Sequence, residues 1–286
     1  MFALMMLSLF SVGALIYGTA SSKPKHRESV SLVEAGLPPA PPAPPSLDMD
    51  KVWTAAQAQD PSPDLATPGE PASSGHKVAL TFDDGPDPHT TPLILDTLRK
   101  HDVKATFFVV GRYVAEHPRL LRRIVDEGHT LGNHTYNHFD MSYLRPLQMR
   151  QELLSTQEAV DKALGYHYPM VLMRPPYGEP YFNNPSMLPA FQRVIRGQEL
   201  FVVMWTDDSQ DWLLTNRPQK VVQNVVRDKV SKGRGRTDRV ILLHDAHQQT
   251  VDALPRIIDH YKESGTQFTD VNELLASKYP SGQSSD

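Results

Sequence analysis

Residues 81–88 read TFDDGPDP and set two carboxylates side by side at the end of a short apolar run, Val78 to Phe82. An extended chain points successive side chains in opposite directions, so Asp83 and Asp84 can hold different partners, one a proton and the other a metal ion. Gly85 and Pro86 then stop the strand and turn the chain. A second stretch, NHTYNH, spaces His134 and His138 four residues apart. On one helical turn that spacing points both imidazoles the same way. With an aspartate they make a two-histidine, one-carboxylate site that leaves a coordination position open for water. Taken singly, the two stretches also read as an Asp-Gly-Pro turn whose carboxylates cap the backbone, and as a surface pair of histidines.

What must position these groups is an alternation of short apolar runs and helical periods from Lys77 onward. The runs predict strands over 78–82, 104–110, 130–133, 170–174, 200–206, 239–244 and 267–269. Helices are expected between them, over 93–101, 118–127 closed by Gly128, 145–164 closed by Gly165, 218–232 closed by Gly233, and 248–264 closed by Gly265. Strand followed by helix, repeated about seven times, argues an α/β fold whose parallel sheet is closed or nearly closed into a β/α barrel. Chemistry on such barrels sits at the C-terminal ends of the strands. There the sequence places Asp83-Asp84, His134, Arg174, Asp207-Asp208 and His244-Asp245. A merely solvated edge would favour Lys and Glu over this set of Asp, His and Arg.

With 286 residues, 40% hydrophobic and 22% charged, the chain can bury a sizeable core. Its net charge of −4 leaves no overall basic field, which excludes nucleic acid as the expected partner. Having no cysteine, it must place any metal on His, Asp or Glu. Residues 1–20 are apolar and end in small residues, as a signal peptide or membrane anchor does, so export and membrane association through this segment are both expected. The flanking charges run the other way: Lys23, Lys25 and Arg27 follow the apolar run and nothing basic precedes it. Prolines crowd from Pro38 to Pro71, so 21–75 reads as an extended linker, 76–279 as the catalytic body and 280–286 as a flexible tail.

The set TFDDGP, NHTYNH, RPPYG, DSQDW and ILLHD, in that order and spacing, resembles the polysaccharide deacetylases of the NodB-homology type, carbohydrate esterase family 4, over about residues 77–275. The resemblance implies a distorted (β/α)7-type barrel and removal of acetyl groups from N-acetylglucosamine units of a cell-wall or extracellular polysaccharide. It assigns Asp84, His134 and His138 as ligands of a divalent cation, Zn2+ or else Co2+, that polarises the acetyl carbonyl and activates water. Asp83 is implied as general base, Arg174 as the residue that orients it and keeps it ionised, and the main-chain N–H of Tyr177 as oxyanion donor. His244 is implied as general acid with Asp211 as its orienting carboxylate, while Trp212 and Leu242 wall the pocket for the acetyl methyl.

An O-acetyl esterase acting on xylan-like polymers would use the same machinery, and a glycan-binding module that had lost its chemistry is the non-enzymatic alternative. The intact Asp83, Asp84, His134, His138 and His244 argue against the latter. A phosphoesterase lacks ligands for a second metal and a phosphate-cradling loop; KGRGR, residues 232–236, is too short and has no strand before it. His89, His129 and His247 read as structural or solvent-facing, and Phe139-Asp140 bears only on substrate preference. The rim from Glu179 to Pro189 sets which polymer fits, and neither that nor the oligomeric state is legible in the sequence.

Overall fold

The computed structural model describes residues 77–226 and 238–278. The expected signal or anchor, the proline-rich linker, the C-terminal part of helix 218–232 with Gly233, the KGRGR stretch and the tail lie outside the described residues. Among the described residues no helix is long and apolar enough to cross a membrane.

Strand β1 (Lys77–Asp83) is buried from Val78 to Asp83, which explains its unbroken apolar run: both faces of the sheet are covered there. On one edge it pairs in parallel with β7 (Arg239–His244), from Val78 opposite Arg239 to Asp83 opposite His244. Its other edge is shared, with β8 (Gln267–Thr269) beside Lys77–Ala79 and β2 (Thr106–Val109) beside Thr81–Asp83. Beyond β2 lie β3 (Thr130–Asn133), β4 (Leu172–Met173) and β5 (Phe201–Val202), while β6 (Asp207–Asp208) flanks β7. The last two belong to one kinked segment. Val203 N–H donates to Met173 O at 2.8 Å and, three residues later, Thr206 N–H donates to Val240 O at 2.9 Å. The segment therefore leaves the edge of β4 and joins that of β7, bringing the two ends of the parallel sheet together as the expected near-closed α/β barrel. One uninterrupted strand over 200–206 is not formed, because the backbone must quit one ladder before entering the other.

Helices α1 (Thr91–His101), α2 (Gly111–Glu116), α3 (Pro118–Asp126), α4 (Pro146–Leu164), α5 (Leu188–Arg196), α6 (Pro218–Val226), α7 (Gln248–Glu263) and α8 (Val271–Lys278) alternate with these strands. Their apolar stripes have helical spacing: Ile94, Leu95 and Leu98 on α1, and Ala253, Leu254, Ile257, Ile258 and Tyr261 on α7, are buried. Each such buried Leu or Ile contributes ~1.5–3 kcal/mol relative to leaving it in water. Gly128, Gly165 and Gly265 take positive φ beyond α3, α4 and α7, as their sequence positions predict.

Two packing details carry the core up to the rim. Gly132 on β3 leaves the space that the ring of Phe108 occupies, since a Cβ there would run into it. The face of Phe108 in turn lies under the Arg174 guanidinium, 4.2 Å from its carbon. The expected rim is corrected at one place. Asp207 does not reach the strand ends: its carboxylate is buried against Arg239, at the start of β7, with Oδ1 2.7 Å from Nη2. Asp208 Oδ1 accepts from Gln210 N–H at 2.8 Å and shapes the turn into Asp211.

Candidate functional site

Asp83 closes β1 and is 3% exposed. Its Oδ1 accepts from Arg174 Nη1 at 2.8 Å, and its Oδ2, free of hydrogen bonds, stands 3.8 Å from His134 Nε2. Arg174, just past β4, is wholly buried yet well supplied with acceptors: Nε donates to Val203 O at 2.9 Å, Nη1 to Thr81 Oγ1 at 2.8 Å and Nη2 to Met204 O at 3.3 Å. Burial lowers the Arg174 pKa against the pull of Asp83, but a guanidinium starts high enough to stay charged. Removing either member of this pair would strand a buried charge, at a cost of ~3–5 kcal/mol.

Asp84 turns the other way. Its φ of 77° is left-handed and carries the carboxylate toward β3. Oδ1 lies 2.9 Å from His138 Nε2 and 3.4 Å from His134 Nε2, is buried, and has no hydrogen-bond partner. One ligand atom from each of Asp84, His134 and His138 falls within 4.8 Å of the others. The His134 tautomer follows from its surroundings. Nδ1 is 2.7 Å from Arg174 O, a carbonyl that can only accept, so Nδ1 carries the proton and the Nε2 lone pair faces Asp84. An orphaned buried oxygen facing imidazole nitrogens is a donor set that fits a divalent cation, and N,N,O suits zinc.

The histidine pair is not carried on a helical turn, contrary to the expectation from its spacing. Residues 134–138 form an irregular loop after β3, with Thr135 at φ 66° and His138 at φ 60°. The N–H groups of residues 135–138 go to side chains rather than to carbonyls one turn back. Glu152 of α4 accepts from Tyr136 N–H at 2.9 Å and Asn137 N–H at 2.7 Å, and Thr135 Oγ1 accepts from His138 N–H at 3.1 Å. Left-handed non-glycine residues cost ~1–3 kcal/mol each and persist only where surroundings impose them. Glu152 does that here, and no local signal in its helix marks it out.

Across β1 the register sets His244 beside Asp83. His244 Nδ1 donates to Asp211 Oδ1 at 2.6 Å, while Asp211 Oδ2 accepts from His244 N–H at 2.7 Å and Thr250 Oγ1 at 2.6 Å. Trp212 N–H adds a further donor to Oδ1 at 2.9 Å. Burial would lower the His244 pKa, but the Asp211 carboxylate, helped by Asp84 and Asp83, raises it to about 9. Sequence reasoning passed over Thr250 and Gln249, which donates to Asp211 O at 2.6 Å, and read His247 as structural or solvent-facing; its ring lies 5.8 Å from that of His244.

The remaining expected residues line the same rim. Tyr177 sits in a 3-10 turn (Pro176–Gly178) at φ 60°, with its ring edge-on to His138 at 4.8 Å. Trp212 is 52% exposed, so it is no core residue, whereas Leu242 is buried on β7 and shares a strand face with His244 two residues on. Beside Asp84 and His138 opens a cleft of about 270 Å3, lined also by Pro86, Arg112 and Tyr113. His129 lies away from the site, accepting from Ala105 N–H at 3.2 Å; burial, then Lys104 and Arg123, keep it neutral with a pKa of about 3. His89 is exposed.

The family model for polysaccharide deacetylases matches residues 71–190. A peptidoglycan-N-acetylglucosamine deacetylase of Listeria monocytogenes is 35% identical over 213 residues, covering 74% of this chain but only 41% of the longer relative. A chitooligosaccharide deacetylase of a Bradyrhizobium species is 34% identical over 218 residues, covering 71% of this chain and 92% of the relative. Among solved structures, a family 4 carbohydrate esterase from Streptomyces lividans in complex with acetate superposes with a TM-score of 0.58 at 36% identity, covering 69% of this chain and 93% of that one. On these similarities the chain belongs to the polysaccharide deacetylase family.

Proposed function

We propose that this protein removes acetyl groups from N-acetylglucosamine units of a cell-wall or extracellular polysaccharide: peptidoglycan, a chitin-like polymer or poly-N-acetylglucosamine. The observation that carries the reading is the convergence on one rim of a cation-competent cluster, a carboxylate clamped by a buried arginine, and a histidine kept protonated by a buried aspartate. The names of the relatives, which act on peptidoglycan and chitooligosaccharide, support the substrate class.

Held by Asp84, His134 and His138, a divalent cation, zinc by its donor set, supplies Lewis acidity toward the acetyl carbonyl. Asp83 takes the proton of the attacking water through Oδ2, the oxygen that Arg174 leaves open. Arg174, 2.8 Å from the other oxygen, fixes the orientation of that carboxylate. The main-chain N–H of Tyr177 donates to the oxygen on which negative charge develops. His244 then gives its Nε2 proton to the departing sugar amine, and Asp211 stabilises the imidazolium and fixes its Nδ1–H tautomer. Trp212 and Leu242 border the space for the acetyl methyl. With the apolar N-terminal segment and the proline-rich stretch, this reading places the body outside the cytoplasm.

Acetate release and the accompanying loss of acetyl mass, measured on zinc-loaded protein with N-acetylglucosamine oligomers, peptidoglycan and O-acetylated xylan, tests the proposal. Free amines on the first two substrates are expected. Acetate from xylan alone would make the protein an O-acetyl esterase, and acetate from none of them would remove the enzymatic reading.

A further inference from the structure

One buried carboxylate at the rim takes no part in this chemistry. Asp245, next to His244, is 1% exposed. Its N–H donates to Asp83 O at 3.1 Å, its carbonyl accepts from Thr90 Oγ1, and its Oδ2 accepts from Thr91 Oγ1 at 2.6 Å. The carboxyl group occupies the space where a Cβ on Gly85 would stand, so any side chain at that glycine would collide with it. Oδ1 is buried and has no hydrogen-bond partner. On the other side of the turn, Gly85 O accepts from Val110 N–H at 2.9 Å.

A buried acid with one oxygen unpaired is costly as a mere filler, since the unmet acceptor has given up water without gaining a donor. Its contacts converge instead on the turn that carries Asp83 and Asp84. We propose that Asp245 is a positioning residue: wedged between the Gly85 turn and the start of α1, it holds Asp84 in its left-handed conformation and sets Asp83 and Asp84 at a fixed offset from His244. Because Asp83 and Asp84 are consecutive, a relaxed turn would displace the base and the metal ligand together. Loss of Asp245 should therefore weaken zinc binding and slow turnover at the same time, whereas removing a ligand acts first on binding and removing the base acts on turnover alone.

The inference rests on the roles proposed above for Asp83 and Asp84, and its test has an arm that needs no activity. Zinc titration calorimetry, thermal unfolding and acetate release at saturating zinc are measured on the full chain as wild type, Asp245→Ala, Asp245→Asn and Thr91→Val. In Asp245→Ala the zinc Kd should rise ~10-fold or more and kcat should fall ~10-fold with KM little changed, the scale of losing a supporting contact behind a metal ligand. Asp245→Asn keeps the shape and an acceptor for Thr91, so both quantities should return to within ~3-fold of wild type. Thr91→Val should move both in the same direction as Asp245→Ala, by less. A folded Asp245→Ala with wild-type zinc affinity and wild-type kcat per bound zinc overturns the proposal, and so does an Asp245→Asn as damaged as the Ala variant. Should Asp245→Ala fail to fold, Thr91→Val with unchanged zinc affinity overturns it instead. A wild type that binds zinc yet releases no acetate contradicts the proposed function, and the zinc arm still decides the role of Asp245.

Discussion

Around Asp84, two imidazoles turn Nε2 toward a carboxylate whose nearer oxygen has no hydrogen bond, and His134 spends its Nδ1–H on a main-chain carbonyl. Around Asp211 the arrangement is reversed. His244 gives its Nδ1–H to the carboxylate, and two main-chain N–H groups and the Thr250 hydroxyl complete the aspartate's acceptor needs. Both regions are built from histidine and aspartate, and both sit at the strand ends. What separates them is which ring nitrogen meets the carboxylate and how many donors that carboxylate already has. A starved carboxylate facing the His134 lone pair calls for a cation, while a saturated one facing an N–H holds a proton on the ring.

The largest expected effect breaks the first region. His138→Ala should abolish stoichiometric zinc in elemental analysis of the dialysed protein, and turnover with it; full zinc retention would put the metal elsewhere. In the second region, His244→Ala should retain zinc and lower kcat ~10²–10⁴-fold, the usual worth of a general acid. Its neighbour sharpens the contrast through pH. With its pKa raised to about 9, His244 stays protonated through neutral pH and loses its proton as pH rises through that value. Asp211→Asn removes the charge that holds the pKa up, so the alkaline limb of the kcat/KM profile should move to lower pH. An unmoved limb would detach Asp211 from the acid. A smaller effect is expected at Glu152, which holds the strained histidine loop: Glu152→Ala should weaken zinc binding ~10–100-fold in a titration. Unchanged affinity would mean that the loop needs no such support.

Features fixed by neighbours in the chain were legible in the sequence; those fixed by neighbours in space were not. The β1 run, the cap glycines beyond α3, α4 and α7, and the polar residue at each of four strand ends are local patterns, and the fold follows from their alternation. The histidine spacing was legible as a pair and misleading as a helical turn, because Glu152 satisfies the loop from another element. The split of 201–208 into β5 and β6 depends on two different neighbours, and Asp207 reads as a rim acid until Arg239 is found beside it. Asp245 stands in plain view in ILLHD, but its partner Thr91 lies 154 residues earlier in the chain.

The central claim is that adjacent aspartates have divided labour, Asp84 belonging to the cation and Asp83 to the proton. Zinc content and kcat, measured together on Asp83→Asn and Asp84→Asn, test it most directly. Asp83→Asn should retain zinc while kcat falls ~10²–10⁴-fold, because the proton acceptor is gone and Asp84, His134 and His138 remain. Asp84→Asn should lose zinc on dialysis and recover part of its activity when excess zinc is supplied. Equal loss of zinc in both variants, or full activity in Asp83→Asn, would contradict the account.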